Sequence, residues 1–326
     1  MSDAATDRCQ TAAHGSCRAV PAPSTRLSDP VSGRGLGRSL GRAGSLALVA
    51  VAYLTALGIA WVAAEAVGAD RPVWALAAGY VASALVIYVW SMAVDNGSMF
   101  DAWWSVLPPA AAVWLSVNAT AEVPSLRIVL VMVVVWAWAI RLTSNWARDW
   151  PGLDHEDWRY LDLYGKGPKA LMSLVGVHLG PCCIVLLGSL SLVPSLAEGT
   201  RAIGVLDWLA LAVGLGAVGL AFVADEQMRS FARTKAPGQI MDRGLWRHSR
   251  HPNYLGEILF WCSLWIFGVS AAPSWWWTVI GPIAMISMFL GASIPMLDGR
   301  SAERRPAFAE YRARSRALLP LPVRRG

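Results

Sequence analysis

The stretch Arg243 to Glu257, RGLWRHSRHPNYLGE, sets Arg243, Arg247, Arg250 and His251 just ahead of an apolar run that carries one acid, Glu257. Cations at this spacing face an anion, and guanidinium groups suit phosphate oxygens especially well. Pro252 has no N–H to offer and fits the first turn of a helix, so the run Tyr254 to Ala272 is expected to start there. It is long enough to cross a bilayer, with Glu257 about one turn inside. An ionisable group at that depth is costly in lipid and is expected to face a polar cavity, paired with an arginine or a ligand amide. The plainer alternative is a basic loop with a snorkelling acid.

Two further segments have the make-up of a polar-ligand site. Arg141 to Lys166 interleaves charges, amides and aromatic rings after an apolar run. Asp225, Glu226, Gln227 and Arg229 follow another such run, and Phe231 to Met241 leads from them back to Arg243. So many cations beside acids that are not simply their partners suit a cofactor with several phosphates. Solvated loops with surface ion pairs are the alternative.

These segments must be positioned by a membrane scaffold. The chain is 55% hydrophobic and only 15% charged, with a mean hydropathy of +0.43, which excludes an ordinary soluble domain. Its eighteen Trp agree, since Trp favours membrane interfaces. Eight apolar runs follow one another: Ser45–Val67, Val73–Val94, Trp104–Ala119, Leu126–Leu142, Lys169–Leu196, Val205–Ala224, Tyr254–Ala272 and Trp275–Leu297. The third is short and holds Pro108 and Pro109, so the count is seven or eight. The fold class expected is an all-α polytopic bundle. Met1 to Arg42 is rich in Ser, Gly, Pro and Ala with scattered arginines, the composition of a disordered tail, and Gly44 to Gly326 forms the membrane domain, with its cofactor half from about Arg141 onward.

Charge gives the orientation. With eight passes and the amino terminus inside, only Arg71, Arg127 and Arg201 of the 28 Lys and Arg fall on the outer side. Both termini are therefore expected to be cytoplasmic, in a bacterial inner membrane or the endoplasmic reticulum. The net charge of +6 is then a topology signal rather than a nucleic-acid footprint. The five cysteines form no CxxC and find no His at ligand spacing, so neither a zinc site nor a disulfide framework is expected. Gly214, Gly216 and Gly219 spell the dinucleotide fingerprint G-x-G-x-x-G, but that motif needs a strand before it and a helix opening at it. Inside an apolar run it reads as small-residue helix packing.

At particular residues the chain resembles a known family. R-L-x-x-N-W (Arg141, Asn145, Trp146), E-D-W-R-Y (Glu156 to Tyr160), A-D-x-Q (Asp225, Gln227), D-R-G-L-W-R-x-S-R-H-P-N-Y-x-G-E (Asp242 to Glu257) and I-P-M-L-D with E-R-R-P-x-F-x-E-Y (Ile294 to Tyr311) look like the DUF1295 proteins. These are membrane relatives of the steroid 5-alpha-reductases and sterol C14 reductases. The resemblance implies a helical reductase that holds NADPH with cytoplasmic segments and the ends of its last helices. It places Asn253 and Glu257 at the nicotinamide carboxamide, Glu accepting from the amide NH2 and Asn donating to its carbonyl. It makes Arg243, Arg247 and Lys235 partners for pyrophosphate or the 2′-phosphate and gives Asp225 a ribose or adenine group. Arg141, Asn145, Gln227, His251 and Tyr254 belong to the same expected cofactor set.

The catalytic group implied is an acid that stabilises a developing enolate oxygen while hydride reaches the β carbon of an enone in a steroid-like or other lipophilic substrate. Asp101, in N-G-S-M-F-D-A-W-W-S, is its best match, with Glu257 at the cofactor end. Capping of the third apolar run is the alternative role for Asp101. The tyrosine of the steroid enzymes falls near Trp138, which leaves the substrate open. Two rival functions remain. Isoprenylcysteine and phospholipid methyltransferases also carry R-H-P-x-Y-x-G, with S-adenosylmethionine as ligand, and a sterol-binding receptor would keep the site without turnover.

Overall fold

The computed structural model of the protein describes residues 40–320. The expected polar tail lies outside the described residues, apart from Leu40, Gly41 and Arg42. In hydrocarbon every backbone N–H and C=O must be satisfied within the segment, which leaves helices as the outcome for apolar runs of this length. All eight runs become helices: α1 (Arg42–Val67), α2 (Pro72–Val94), α3 (Trp103–Val117) and α4 (Ser125–Asp149), then, after the short α5 (Trp158–Tyr164), α6 (Lys169–Glu198), α7 (Val205–Thr234), α8 (Pro252–Ala271) and α9 (Pro273–Arg304). A final short helix, α10, spans Phe308–Arg314. Among the described residues there is no strand, only an isolated bridge between Ser249 and Arg316.

Seven of these helices are long and apolar enough to cross a membrane. This is an integral, multi-pass membrane protein. The exception is α3, whose 15 residues rise roughly 22 Å against a hydrocarbon core of about 30 Å. It still runs from one end of the bundle to the other. Its start lies beside Leu153 and beside Tyr160 of α5, while at its far end Trp114 Nε1 donates to Glu65 at 2.9 Å and Ala121 N to Ala197 O at 3.2 Å. The described chain consequently enters and leaves at one end. Arg42 donates to the carbonyls of Ala147, Arg148 and Trp150 at the end of α4, and near the other terminus the carbonyls of Arg316 and Ala317 accept from Arg250 N and His251 N. That is the arrangement the distribution of Lys and Arg calls for.

The helices widen where proline removes a donor. Turns of the π type occupy Ser173–Leu179, Pro194–Glu198 and Phe289–Ser293, with Pro181, Pro194 and Pro295 at or just beyond them. Gly180, Gly199 and Ile294 each donate five residues back. The glycine motif packs only in part as expected. A Cβ at Gly214 would sit 2.6 Å from Val134 Cγ1, whereas Gly216 and Gly219 meet nothing within 4 Å. Closer contact between α7 and α8 comes at Gly256, where a Cβ would stand 2.7 Å from the Ala217 carbonyl.

Two helices outrun their apolar sequence. α4 continues past Leu142 to Asp149, and α7 past Ala224 to Thr234. Residues expected on loops are therefore on helical faces: Arg141 and Asn145, four apart, share one side of α4, and Asp225 and Arg229 share one side of α7.

Candidate functional site

Arg141 is the centre of the polar cluster at this end. Its Nη1 donates to Asp225 Oδ2 at 2.8 Å and its Nη2 to Glu257 Oε1. The acid of α8 thus meets an arginine in a polar setting, as its depth requires. Trp138 Nε1 completes it by donating to Glu257 Oε2 at 2.7 Å, and its ring stacks on Phe260 with centroids 4.2 Å apart. Asp225 also accepts from Asn145 Nδ2 at 3.1 Å and from Asn253 Nδ2 at 3.3 Å. Two buried atoms remain unpartnered, Arg141 Nε and Asn253 Oδ1. The cluster has one cation for two carboxylates.

A second constellation forms where two loops are fastened together. The Asn96 amide donates to Leu153 O and His155 O and accepts from Ser98 N, while Glu156 Oε1 accepts from Gly97 N at 2.7 Å. Ser98 Oγ accepts from Asp157 N at 2.9 Å. These bonds carry α5 across the start of α3 and set the Tyr160 hydroxyl on Asp101 Oδ1. Among the described residues no donor engages the other carboxyl oxygen of Asp101. Burial pushes this carboxyl up to about 7, against the lowering pull of the Tyr160 hydroxyl and the Arg159 guanidinium. Burial and the Asp101 charge raise Tyr160 well above the usual phenol range.

Two cavities adjoin the cluster. The larger, about 720 Å³, is lined by Asp101, Tyr160, Asn145, Trp104, Trp146 and Trp150 among others. The smaller, about 200 Å³, is lined by Asn253, Tyr254, His251 and Lys235 with Arg305 and several aromatic rings. Asp225 is gripped from both sides, by Asn145 of the larger cavity and Asn253 of the smaller.

The basic stretch divides into two sets. Arg250 and His251 do face an anion, but it is the chain's own Asp298, at 3.1 and 3.0 Å. Tyr254 stacks between His251 and Phe289. Arg243 and Arg247, expected to hold phosphate, stand exposed and off the lining of either cavity, because the 3-10 turn at Gly244–Arg247 directs Trp246 inward instead. Gln227, placed in the same set, has its carbonyl on Leu245 N at 3.0 Å and anchors this turn. The cations that do line the smaller cavity are Lys235, Arg250 and Arg305.

The family model described as protein of unknown function (DUF1295) matches residues 87–315, from within α2 to just past α10. The chain belongs to the DUF1295 family. It is also similar to a protein of Schizosaccharomyces pombe described as uncharacterized, 28% identical over 261 residues, which cover 71% of this chain and 75% of that one. No solved structure matches the chain.

In this DUF1295 protein the smaller cavity carries the kinds of group that a carboxamide, aromatic rings and phosphates would require. Asn253 Oδ1 is a buried acceptor without a donor, Phe231, Trp246, Phe308 and Tyr311 add aromatic rings to the lining, and Lys235 and Arg305 are cations without an ion-pair partner among the described residues. The fit changes one expected role. Asn253 spends its NH2 on Asp225, and turning the amide would set its oxygen against a carboxylate, so it offers an acceptor rather than a donor. Tyr160 is the residue that sequence reasoning missed. Its E-D-W-R-Y segment was in view, but nothing in the spacing links it to Asp101, 59 positions earlier.

Proposed function

We propose that this protein is a membrane-embedded reductase that uses NADPH to reduce an activated C=C bond, such as that of an enone, in a lipophilic substrate. The observation that carries this reading is the Asp101–Tyr160 pair on the wall of the larger cavity. Hydrogens can be counted. A neutral Asp101 and a neutral Tyr160 have two O–H groups, of which one is used between them and one is left for a third oxygen. An ionised Asp101 leaves only the phenol O–H, already engaged. The neutral pair can thus donate to a substrate carbonyl and stabilise the charge that develops on it. Methyl transfer from a sulfonium needs no such donor, and would leave the pair without a role.

When bound, NADPH supplies the hydride. Asn253 would hold its carboxamide beside Glu257, and Lys235 and Arg305 would hold its phosphates. Arg141 orients Glu257 and Asp225 at the same time, and Trp138 keeps the Glu257 carboxylate from turning. The indoles of Trp104, Trp146 and Trp150 line the larger cavity and would pack against the substrate.

Equilibrium binding of NADPH and of S-adenosylmethionine to the purified protein is the direct test. NADPH is expected to bind and S-adenosylmethionine not; the reverse result removes the reductase reading. The pH dependence follows from Asp101. With its carboxyl raised to about 7, the donating form prevails below that pH and is lost as pH rises through it. NADPH-dependent enone reduction should therefore fall across neutral pH, and Asp101→Asn should flatten the profile with a loss of about 10²- to 10⁴-fold. An unchanged profile in Asp101→Asn would take the proton-donor role away from this residue.

A further inference from the structure

We infer that the lipid-facing groove between α1, α3 and α4 holds the hydrocarbon tail of the substrate while its polar end lies at Asp101 and Tyr160. The substrate class is then an elongated single-chain amphiphile, an inference that rests on the reductase reading. The groove encloses about 530 Å³ and is lined by Trp61, Val106, Pro109, Val113, Trp136 and Ile140 with smaller neighbours. Trp136 and Ile140 are 45% and 59% exposed on a helix that crosses the bilayer, so the groove opens to hydrocarbon.

One end of this groove is hydroxylic, and that end adjoins the candidate site. Ser105 Oγ and Thr143 Oγ1 lie 2.9 Å apart where α3 meets α4. Trp104 and Leu142, their chain neighbours, line the larger cavity, whereas Val106 and Ile140 line the groove. The two spaces therefore occupy adjacent faces of one helix pair, and the side chains at the seam are small. From Ser105 to Val113 the groove follows roughly 12 Å of helix, directed away from the polar end of the bundle. A molecule with its head in the cavity and its tail in the groove lies along the bilayer normal, as membrane lipids do. A compact ring system enclosed by the cavity would make no use of the groove.

Two photoactivatable probes test this on the full chain in phosphatidylcholine nanodiscs. Both carry the same long alkyl chain with a diazirine near its end, and one bears an enone head while the other has none. The enone probe is expected to label α3 and α4 groove residues saturably and to be displaced by unlabelled alkyl enone. The headless probe should do neither. Val113→Trp, which fills the groove, should cut saturable labelling about tenfold, the loss of roughly two buried methylenes, with NADPH binding unchanged. Val117→Trp, on an exposed position of the same helix outside the lining, should leave it intact. Equal, non-saturable labelling by both probes would give the groove to bulk lipid and overturn the tail assignment, even with NADPH binding intact. Saturable groove labelling without any NADPH binding would overturn the reductase reading instead.

Discussion

Helices α4, α7 and α8 are fastened to one another twice, once at each end of the bundle, with similar side chains and opposite results. At one end Arg127 and Asp207 are fully buried, and Arg127 donates to both oxygens of Asp207 and to the carbonyls of Arg201 and Ala202. Asp207 takes two further donors, Gly204 N at 2.9 Å and Ser270 Oγ at 2.7 Å. At the other end Arg141 serves two carboxylates, its Nε and the Asn253 oxygen have no partner, and cavities adjoin it on both sides. A charge pair in a low-dielectric interior is stable when every lone pair and proton is satisfied. The first site meets that condition within the protein. The second does not meet it within the protein, which separates a closed brace from an open cluster even though both read as arginine plus acid.

The largest effect should come from opening the closed end. Arg127→Ala leaves Asp207 buried without its cation and should cost about 3–5 kcal/mol of folding stability. Replacing the pair together, Arg127→Met with Asp207→Leu, should restore most of it, since a packed apolar pair avoids desolvating two ions. Denaturant unfolding in detergent gives both values, and NADPH affinity of the folded fraction should not change. The contrast between the ends breaks down if Arg141→Ala proves as destabilising as Arg127→Ala.

The sequence makes one of these ends far more legible than the other. Glu257 announces itself as an acid inside an apolar run, and its depth calls for an arginine, which α4 supplies at Arg141. Arg127 was legible only as a cation on the sparse side of the charge distribution. Hydropathy marks where the eight helices lie but not their ends, because the polar last turns of α4 and α7 are stabilised by partners on other helices rather than by their own composition. Arg148 of α4, for instance, pairs with Glu226 of α7, and Arg229 of α7 with Asp149 of α4. Pairing across loops was not legible at all. The Tyr160 hydroxyl reaches Asp101 because Asn96 and Glu156 fasten two loops, and neither bond leaves a periodic trace. Nor was the placement of Arg243 and Arg247 legible: the turn at Gly244–Arg247 leaves both exposed and off the lining of the two cavities.

A smaller effect, in affinity rather than stability, should come from editing the open end. Glu257→Ala removes the acceptor of Trp138 Nε1 and one partner of Arg141, and takes away the carboxylate proposed to meet the carboxamide. One hydrogen bond to a charged group at about 1–3 kcal/mol corresponds to about 5- to 150-fold weaker NADPH binding. Glu257→Gln keeps an acceptor and should fall between. Because Trp138 loses its partner too, unfolding must be measured beside affinity to separate the two losses. Asn253→Ala should change less. It gives up one 3.3 Å bond to Asp225, but it also deletes an oxygen that has no donor, so stability should shift by no more than about 1 kcal/mol while affinity still drops. The double substitution should be less than additive, since both side chains are tied to one ion pair, Glu257 through Arg141 and Asn253 through Asp225. If Asn253→Ala instead lowers stability by several kcal/mol and leaves NADPH affinity untouched, Asn253 is a brace like Ser270 at the far end, and the two ends of the bundle are alike after all.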